Sequence, residues 1–220
     1  MSEQQAPKGA FIQRDKETYA IVPRTPVGVV TPELLENIAS VAKKYEIPII
    51  KITSGQRIAL VGMKPEIVES VWEELGTDIG PAVGKCFHYV QACPGTAVCK
   101  NGILDSLGLG IRLEQLLVGA ELPAKGKIGV SGCGLCCAES FVRDFGVFAK
   151  RTGWTFIFGG NSGRNARIGD VIAEDLTDDQ VVELTNKCVE YYKTNAKPNE
   201  RTAGFVRRIG IEEIKKAVLE

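Results

Sequence analysis

Four cysteines fall in two close pairs. Cys93 and Cys99 form C-x5-C in ACPGTAVC, and Cys133 and Cys137 form C-x3-C in CGLCC, with Cys136 inside. Each pair lies on a turn rich in glycine or proline. That is ligand spacing for a tetrahedral metal site or a cubane cluster. Six of the seven cysteines lie between residues 86 and 137, a crowding that ordinary core use of cysteine does not favour. Glycine is dense in the same stretch, as expected where backbone must approach a bulky inorganic group. Cys86 and Cys188 have no partner pattern, and Cys188 reads as a core residue on a helical face.

The rest of the composition narrows the chemistry. An odd cysteine count in 220 residues argues against a secreted disulfide scaffold and for metal or redox chemistry. The single histidine, His88, is too little imidazole for most zinc enzymes and for Ser/His/Asp hydrolases. Lys+Arg 27 balances Asp+Glu 27, so no bulk charge holds a nucleic acid. No apolar run reaches the roughly 18 residues of a membrane span. The polar N-terminus has no apolar core of a secretory signal, and a cytoplasmic protein is expected.

Periodicity gives a coarse layout. Residues 1–17 read as a flexible arm. TYAIVPRTPVGVV (18–30) reads as an edge strand or extended stretch broken by Pro23 and Pro26. Thr31 and Pro32 open a helix to about residue 45. Strands follow at 47–53 and 57–62, and Pro65 opens a second helix. This β-α-β-β-α order resembles a ferredoxin-like half-domain, helices layered on an antiparallel sheet, over 18–78. Beyond it come a helix around LDSLGLGIRLEQLLVG, a strand at 127–132, a helical reading of the segment holding Arg143, a strand at 154–160, and a C-terminal helical region. A capped amphipathic helix begins there after Thr177. The fold class is α+β.

Structural zinc pairs usually have two to four intervening residues, so the x5 loop leans toward iron–sulfur. SGCGLCCAESFVRDFGV (131–147) resembles the signature of the sulfite and nitrite reductases that couple sirohaem to a [4Fe-4S] cluster. Ser131, Gly132, Cys133, Cys137, Asp144, Phe145, Gly146 and Val147 meet that pattern position by position. ACPGTAVC is similar to the family's other cysteine pair, LPAKGKIGVSGC to its Lys-x-Lys stretch, and GGNSGRNARIG to its cofactor-contacting glycine-rich segment. The resemblance runs from about residue 20 to 210.

The resemblance implies that 79–220 binds sirohaem and a [4Fe-4S] cluster. It makes Cys93, Cys99, Cys133 and Cys137 cluster ligands, with Cys137 the thiolate shared with the sirohaem iron. Lys125 and Lys127 would face a small oxyanion, sulfite or nitrite. Sirohaem carries eight carboxylates, which need cations and backbone donors; Asn161, Arg164, Arg167 and Lys100 are the candidates, with Arg112 and Arg143 read as surface charges. Two positions depart from the family pattern. Its Thr-x-Arg-Gln is Thr53-Ser54-Gly55-Gln56 here, with Arg57 following late as a substitute cation. The arginine slot before the first cysteine pair holds His88. For His88 three roles are open: a proton or anion donor, an axial ligand, or a core histidine satisfied by backbone.

Full-length members of that family carry two related halves, whereas this chain has the length of one. A homodimer is therefore expected. No G-x-G-x-x-G follows a strand, so electrons are expected from a separate protein donor such as a ferredoxin. The alternative reading is a non-catalytic sirohaem/iron–sulfur electron-transfer or sensor protein with a closed haem site.

Overall fold

The Thr31 hydroxyl accepts a hydrogen bond from the Leu34 amide at 3.2 Å, and Pro32 takes the first helical position. A cap of this kind is worth about 1 kcal/mol. It starts helix α1, Pro32–Lys44. In the computed structural model, which describes residues 6–220, the chain divides into two units, one ending at Val83 and the other beginning at Gly84.

In the first unit, strands β1 (Ala10–Ile12), β2 (Tyr19–Ile21), β3 (Ile49–Ile52) and β4 (Ile58–Met63) form an antiparallel sheet in the order β1-β2-β4-β3. Helix α2, Val68–Leu75, completes it after a 3-10 turn at Pro65–Ile67. Ile21, Leu60 and Met63 from the strands meet Ile38 and Val41 of α1 and Val68, Val71 and Leu75 of α2 in a closed core. This is the ferredoxin-like half that the element order predicts.

Two local expectations are corrected. Residues 10–12, read as part of a flexible arm, pair with β2 as strand β1; the remainder of that reading at 1–5 lies outside the described residues. Because β1 occupies its outer side, β2 is an interior strand. It stops at Ile21, since Pro23 forms only an isolated bridge to Ile79 and Pro26 begins a 3-10 turn.

The second unit is built on one mixed sheet. Its strands are β5 (Phe87–Ala92), β6 (Gly126–Ser131), β7 (Phe145–Lys150), β8 (Gly153–Phe158) and β9 (Asp170–Leu176), in that order across the sheet. The first three run parallel and the last two are antiparallel. Helix α3 (Ser106–Leu117) links β5 to β6, and α4 (Asp178–Asn195), α5 (Thr202–Ile209) and α6 (Ile211–Leu219) close the chain. α4 carries the expected capping box between Thr177 and Gln180.

Side chains alternate across these strands. Phe145 and Phe158 stand opposite one another in the ladder, with ring centroids 5.0 Å apart. Phe87 continues the row at 5.1 Å from Phe145. Tyr192 of α4 and Phe205 of α5 join it through Phe158. Burying each ring contributes about 1.5–3 kcal/mol. The opposite register positions are polar or small: Tyr89 faces Lys127, and Gln91 and Gly146 flank Gly129. The segment from 138 to 143 lies on that second face. A Cβ at Gly129 would fall inside the Ala138 carbonyl, and one at Gly146 inside the Ser140 carbonyl, so only glycine admits so close a crossover.

Candidate functional site

The two cysteine loops emerge from the ends of adjacent parallel strands. Cys93 follows β5, and its amide donates to the Val130 carbonyl of β6 at 3.1 Å. Cys133 follows β6 by two residues. Ligand sites collect at this end of open parallel sheets because the connecting loops splay there. Three glycines then lock the loops together. A Cβ at Gly132 would stand 2.6 Å from Gly95 Cα, and one at Gly102 2.5 Å from the Gly95 carbonyl carbon. Gly95 itself has φ +54°, and a Cβ there would lie 2.8 Å from the Leu104 carbonyl oxygen. The Gly132 carbonyl accepts from the Ile103 amide at 2.7 Å. The C-x5-C loop, the 102–104 turn and the C-x3-C loop are thus one packed backbone layer.

The thiols differ in exposure. Cys93 and Cys133 are buried, and Cys99 and Cys137 are exposed. The Cys93 sulfur accepts from the Gly132 amide at 3.1 Å and lies 3.3 Å from Ser106 Oγ. Ser106, the first residue of α3, is fully buried and donates to the Cys93 carbonyl at 2.7 Å. Hydrogen bonds to ligand sulfurs set the potential of an iron–sulfur centre. Cys136 sits among the pairs. Burial pushes its thiol up to about 11, and Cys133, Cys137 and Cys93 act in the same direction. Cys188 is the core residue expected on α4, its thiol pushed up to about 12 by burial.

A shallow hollow of about 530 Å³ opens beside the cysteines, lined by Lys100, Cys133, Gly134, Leu135 and Arg151 among others. Lys100 is therefore brought to the cysteine layer.

The polar face of the sheet carries the other candidates. Lys127 projects from β6 and its Nζ lies 5.5 Å from the centre of the Tyr89 ring. Burial lowers its pKa below the ordinary lysine value; Arg143, Lys125 and Arg201 add to the effect, and Asp144 opposes it. Lys125, exposed just before β6, is thus near enough to be felt by Lys127. Next to it, Asp144 is fully buried and accepts from Arg201 Nε at 3.0 Å, from Arg201 Nη2 at 2.7 and 2.8 Å, and from the Thr202 hydroxyl at 2.7 Å.

Four sequence assignments are revised or refined. Arg143 is not on a surface helix: it follows a 3-10 turn in extended conformation and is 3% exposed. The packing of residues 138–143 on Gly129 and Gly146 excludes a helix there. Arg167 does not offer its guanidinium outward, because it donates to the Gly159 and Ile168 carbonyls at 3.0 Å and pairs with Asp170. Asn161 closes its own loop, donating to the Asn165 carbonyl at 2.8 Å, while Arg164 stands exposed at the tip. His88 is buried at a register shift in β5, and its Nε2 lies 3.0 Å from the Gly84 carbonyl; an N–H there donates to that oxygen, the geometry of a histidine satisfied by backbone.

Arg57 belongs to the first unit. It closes the turn from Thr53, and its Nη1 donates to the Pro81 carbonyl at 2.5 Å. Arg112 is a half-exposed surface charge paired with Asp179 at 2.6 Å. Sequence reasoning missed Ser106, Tyr89 and Gln91, which carry no motif of their own; Tyr89 and Gln91 are legible only from their register against the Lys127 strand.

These residues can be tested against an inorganic cluster and an anionic macrocycle. Four soft thiols on one backbone layer, too tight for a Cβ at Gly95, Gly102 or Gly132, suit a cluster that backbone must closely approach. The buried Arg143 Nε–H has no acceptor among the described residues. A carboxylate or oxyanion would satisfy it, relieving a cost of about 1–3 kcal/mol. Among the described residues no three His, Cys, Asp or Glu side chains gather about a single-ion position. The donor set fits both groups.

Comparison with known proteins agrees with this chemistry. Residues 83–220 match the model of the nitrite and sulphite reductase 4Fe-4S domain, and residues 11–77 that of the nitrite/sulfite reductase ferredoxin-like half domain. An assimilatory-type sulfite reductase of Nitratidesulfovibrio vulgaris is 57% identical over 97% of this chain and 98% of its own. A nitrite reductase [NAD(P)H] of Bacillus subtilis is 41% identical over 93% of this chain, which spans 25% of that protein. The crystal structure of a dissimilatory sulfite reductase I superposes with a TM-score of 0.82 at 16% identity, covering 91% of this chain and 69% of that one. The structure of Mycobacterium tuberculosis NirA gives 0.80, also at 16% identity, with 91% and 39% covered. At that identity both show the fold.

Proposed function

The chain belongs to the nitrite and sulphite reductase family, and from that premise we propose that it reduces a small oxyanion, sulfite to sulfide or nitrite to ammonia. It is an oxidoreductase whose cofactors are a [4Fe-4S] cluster and sirohaem. Bound together, these groups supply six electrons singly to the anion. Everything else falls to the chain's own residues.

Cys93, Cys99, Cys133 and Cys137 would hold the cluster, and the exposed Cys137 would be the thiolate offered to the sirohaem. The observation that carries this reading is the Gly95–Gly102–Gly132 layer, which joins the two cysteine loops into one cradle. Lys100 and Arg164 are exposed cations suited to the macrocycle's carboxylates. Lys125 and Lys127 attract the anion. As its oxygens leave as water they need protons, and the Lys127 ammonium, with its lowered pKa, gives one up more readily than an ordinary lysine. The Asp144–Arg201–Thr202 cluster fixes the segment that leads from the second cysteine pair into β7.

Electrons come from a separate protein donor such as a ferredoxin. A homodimer is part of the proposal. Edge strand β3 exposes Ile49, Ile50 and Ile52, the last at 72%, and an unpaired apolar edge of this kind calls for cover by another chain. Among the described residues no helix is long and apolar enough to cross a membrane.

The test is turnover. Anaerobic protein supplied with reduced viologen should consume six electrons per sulfite or nitrite and lose that activity in Cys133→Ser. Protein with intact cluster and sirohaem that reduces neither anion would refute the catalytic reading in favour of electron transfer.

A further inference from the structure

We propose that Arg143 is a positioning residue that adds a further, buried positive charge to the Lys125–Lys127 anion site across the Tyr89 ring. The inference rests on the reading of Lys127 given above. The Arg143 guanidinium carbon lies 5.7 Å from the centre of the Tyr89 ring, and Lys127 Nζ 5.5 Å from the same ring. Both distances are within cation–π range.

The arginine is built into the sheet. Tyr89 stands opposite Lys127 in the parallel ladder, and Gln91 opposite Gly129. Gln91 Oε1 accepts from Arg143 Nη2 at 2.5 Å, and Glu139 pairs with the same nitrogen at 2.6 Å. At Gly129 the missing side chain makes room for the arginine stem, since a Cβ there would stand 2.9 Å from Arg143 Cγ. Two adjacent strands and the cysteine crossover therefore fix one guanidinium.

Packing alone does not explain this. A buried cation is costly, and an apolar side chain of the same volume is often neutral or stabilising in its place. The charges acting on Lys127 are mostly of its own sign. Lys125, Arg143 and Arg201 are positive; Asp144 is negative but bound by Arg201 and Thr202. Glu139, about half exposed, partners Arg143. Converging cations with so little neutralisation suit a site whose occupant is a small oxyanion.

Arg143 then does two things. It holds the Tyr89 ring over which the Lys127 ammonium sits, and it disfavours the ammonium form of Lys127. A merely structural arginine would leave the KM for the anion unmoved.

The test is trace acetylation of the holoprotein with acetic anhydride across pH, with Lys127 read by peptide mass spectrometry, alongside the KM for sulfite and nitrite. In Arg143→Gln, Lys127 should titrate at higher pH than in the wild type. KM should rise on the order of tenfold, with a smaller change in kcat. Arg143→Lys should restore most of both. A folded Arg143→Gln with unchanged Lys127 titration and unchanged KM overturns the proposal. If Arg143→Gln does not fold, Gln91→Leu keeps the charge and removes its tether; a shifted Lys127 titration then supports the proposal and an unshifted one overturns it. Wild-type protein that reduces neither anion would defeat the reductase reading, while the acetylation result would still decide the role of Arg143.

Discussion

The Gly132 amide donates to the Cys93 sulfur at 3.1 Å, so a residue of one cysteine loop hydrogen-bonds a cysteine of the other. The bond ties together two segments far apart in sequence. It also places a backbone dipole on a sulfur whose electron density the cluster would share.

Gly95→Ala and Gly132→Ala should each prevent stable cluster assembly. Either methyl group would force the two loops apart, and Gly95 also has a left-handed backbone. Iron and acid-labile sulfide per chain should fall severalfold in both. Gly134→Ala, where a Cβ meets nothing within 4 Å, should keep wild-type content.

Ser106→Ala removes a fully buried hydroxyl that donates to the Cys93 carbonyl. Stability should fall by about 1–2 kcal/mol in denaturant melts. The cluster potential should shift, because a polar group 3.3 Å from the sulfur is lost. An unchanged potential in redox titration would remove Ser106 from the tuning role.

Lys127→Ala should lower kcat by on the order of a hundredfold, the usual contribution of a positioned proton donor. In the wild type, activity should decline on the alkaline side below the ordinary lysine value, because burial and nearby cations lower the Lys127 pKa. The stability effect has the opposite sense. Between the lowered folded pKa and the unfolded value near 10.4, the unfolded chain binds more protons, so Lys127 makes stability rise with pH. Lys127→Met should flatten that rise in pH-dependent melts.

Asp144→Ala leaves Arg201 and Thr202 without their shared acceptor. Loss of roughly 3 kcal/mol is expected, since a paired group is stranded next to the core. Thr202→Val, which removes one of the four hydrogen bonds, should cost about 1 kcal/mol.

Much of this was legible before the structure. The spacing of Cys93, Cys99, Cys133 and Cys137 and the Thr31 and Thr177 caps are local signals, and local signals survive folding. The ferredoxin-like order followed from periodicity. Strands β5, β7 and β9 were less visible: FHYVQA and FGVFAK are buried throughout most of their length and show no alternation that separates strand from buried helix. Arg143 was misread because its environment is set by non-local partners, Gln91 and Tyr89, two strands away in the chain. Arg167 looked available in a glycine-rich loop, yet the loop folds back and its own carbonyls take the guanidinium.

The most direct test is the absorption spectrum of anaerobically purified protein, before and after dithionite and then sulfite. The account predicts sirohaem bands with underlying cluster absorption, and a shift of the sirohaem bands when sulfite reaches the reduced protein. Sirohaem bands that ignore sulfite, nitrite and cyanide would contradict an open anion site beside Lys127, and a colourless protein carrying zinc would contradict the cluster itself.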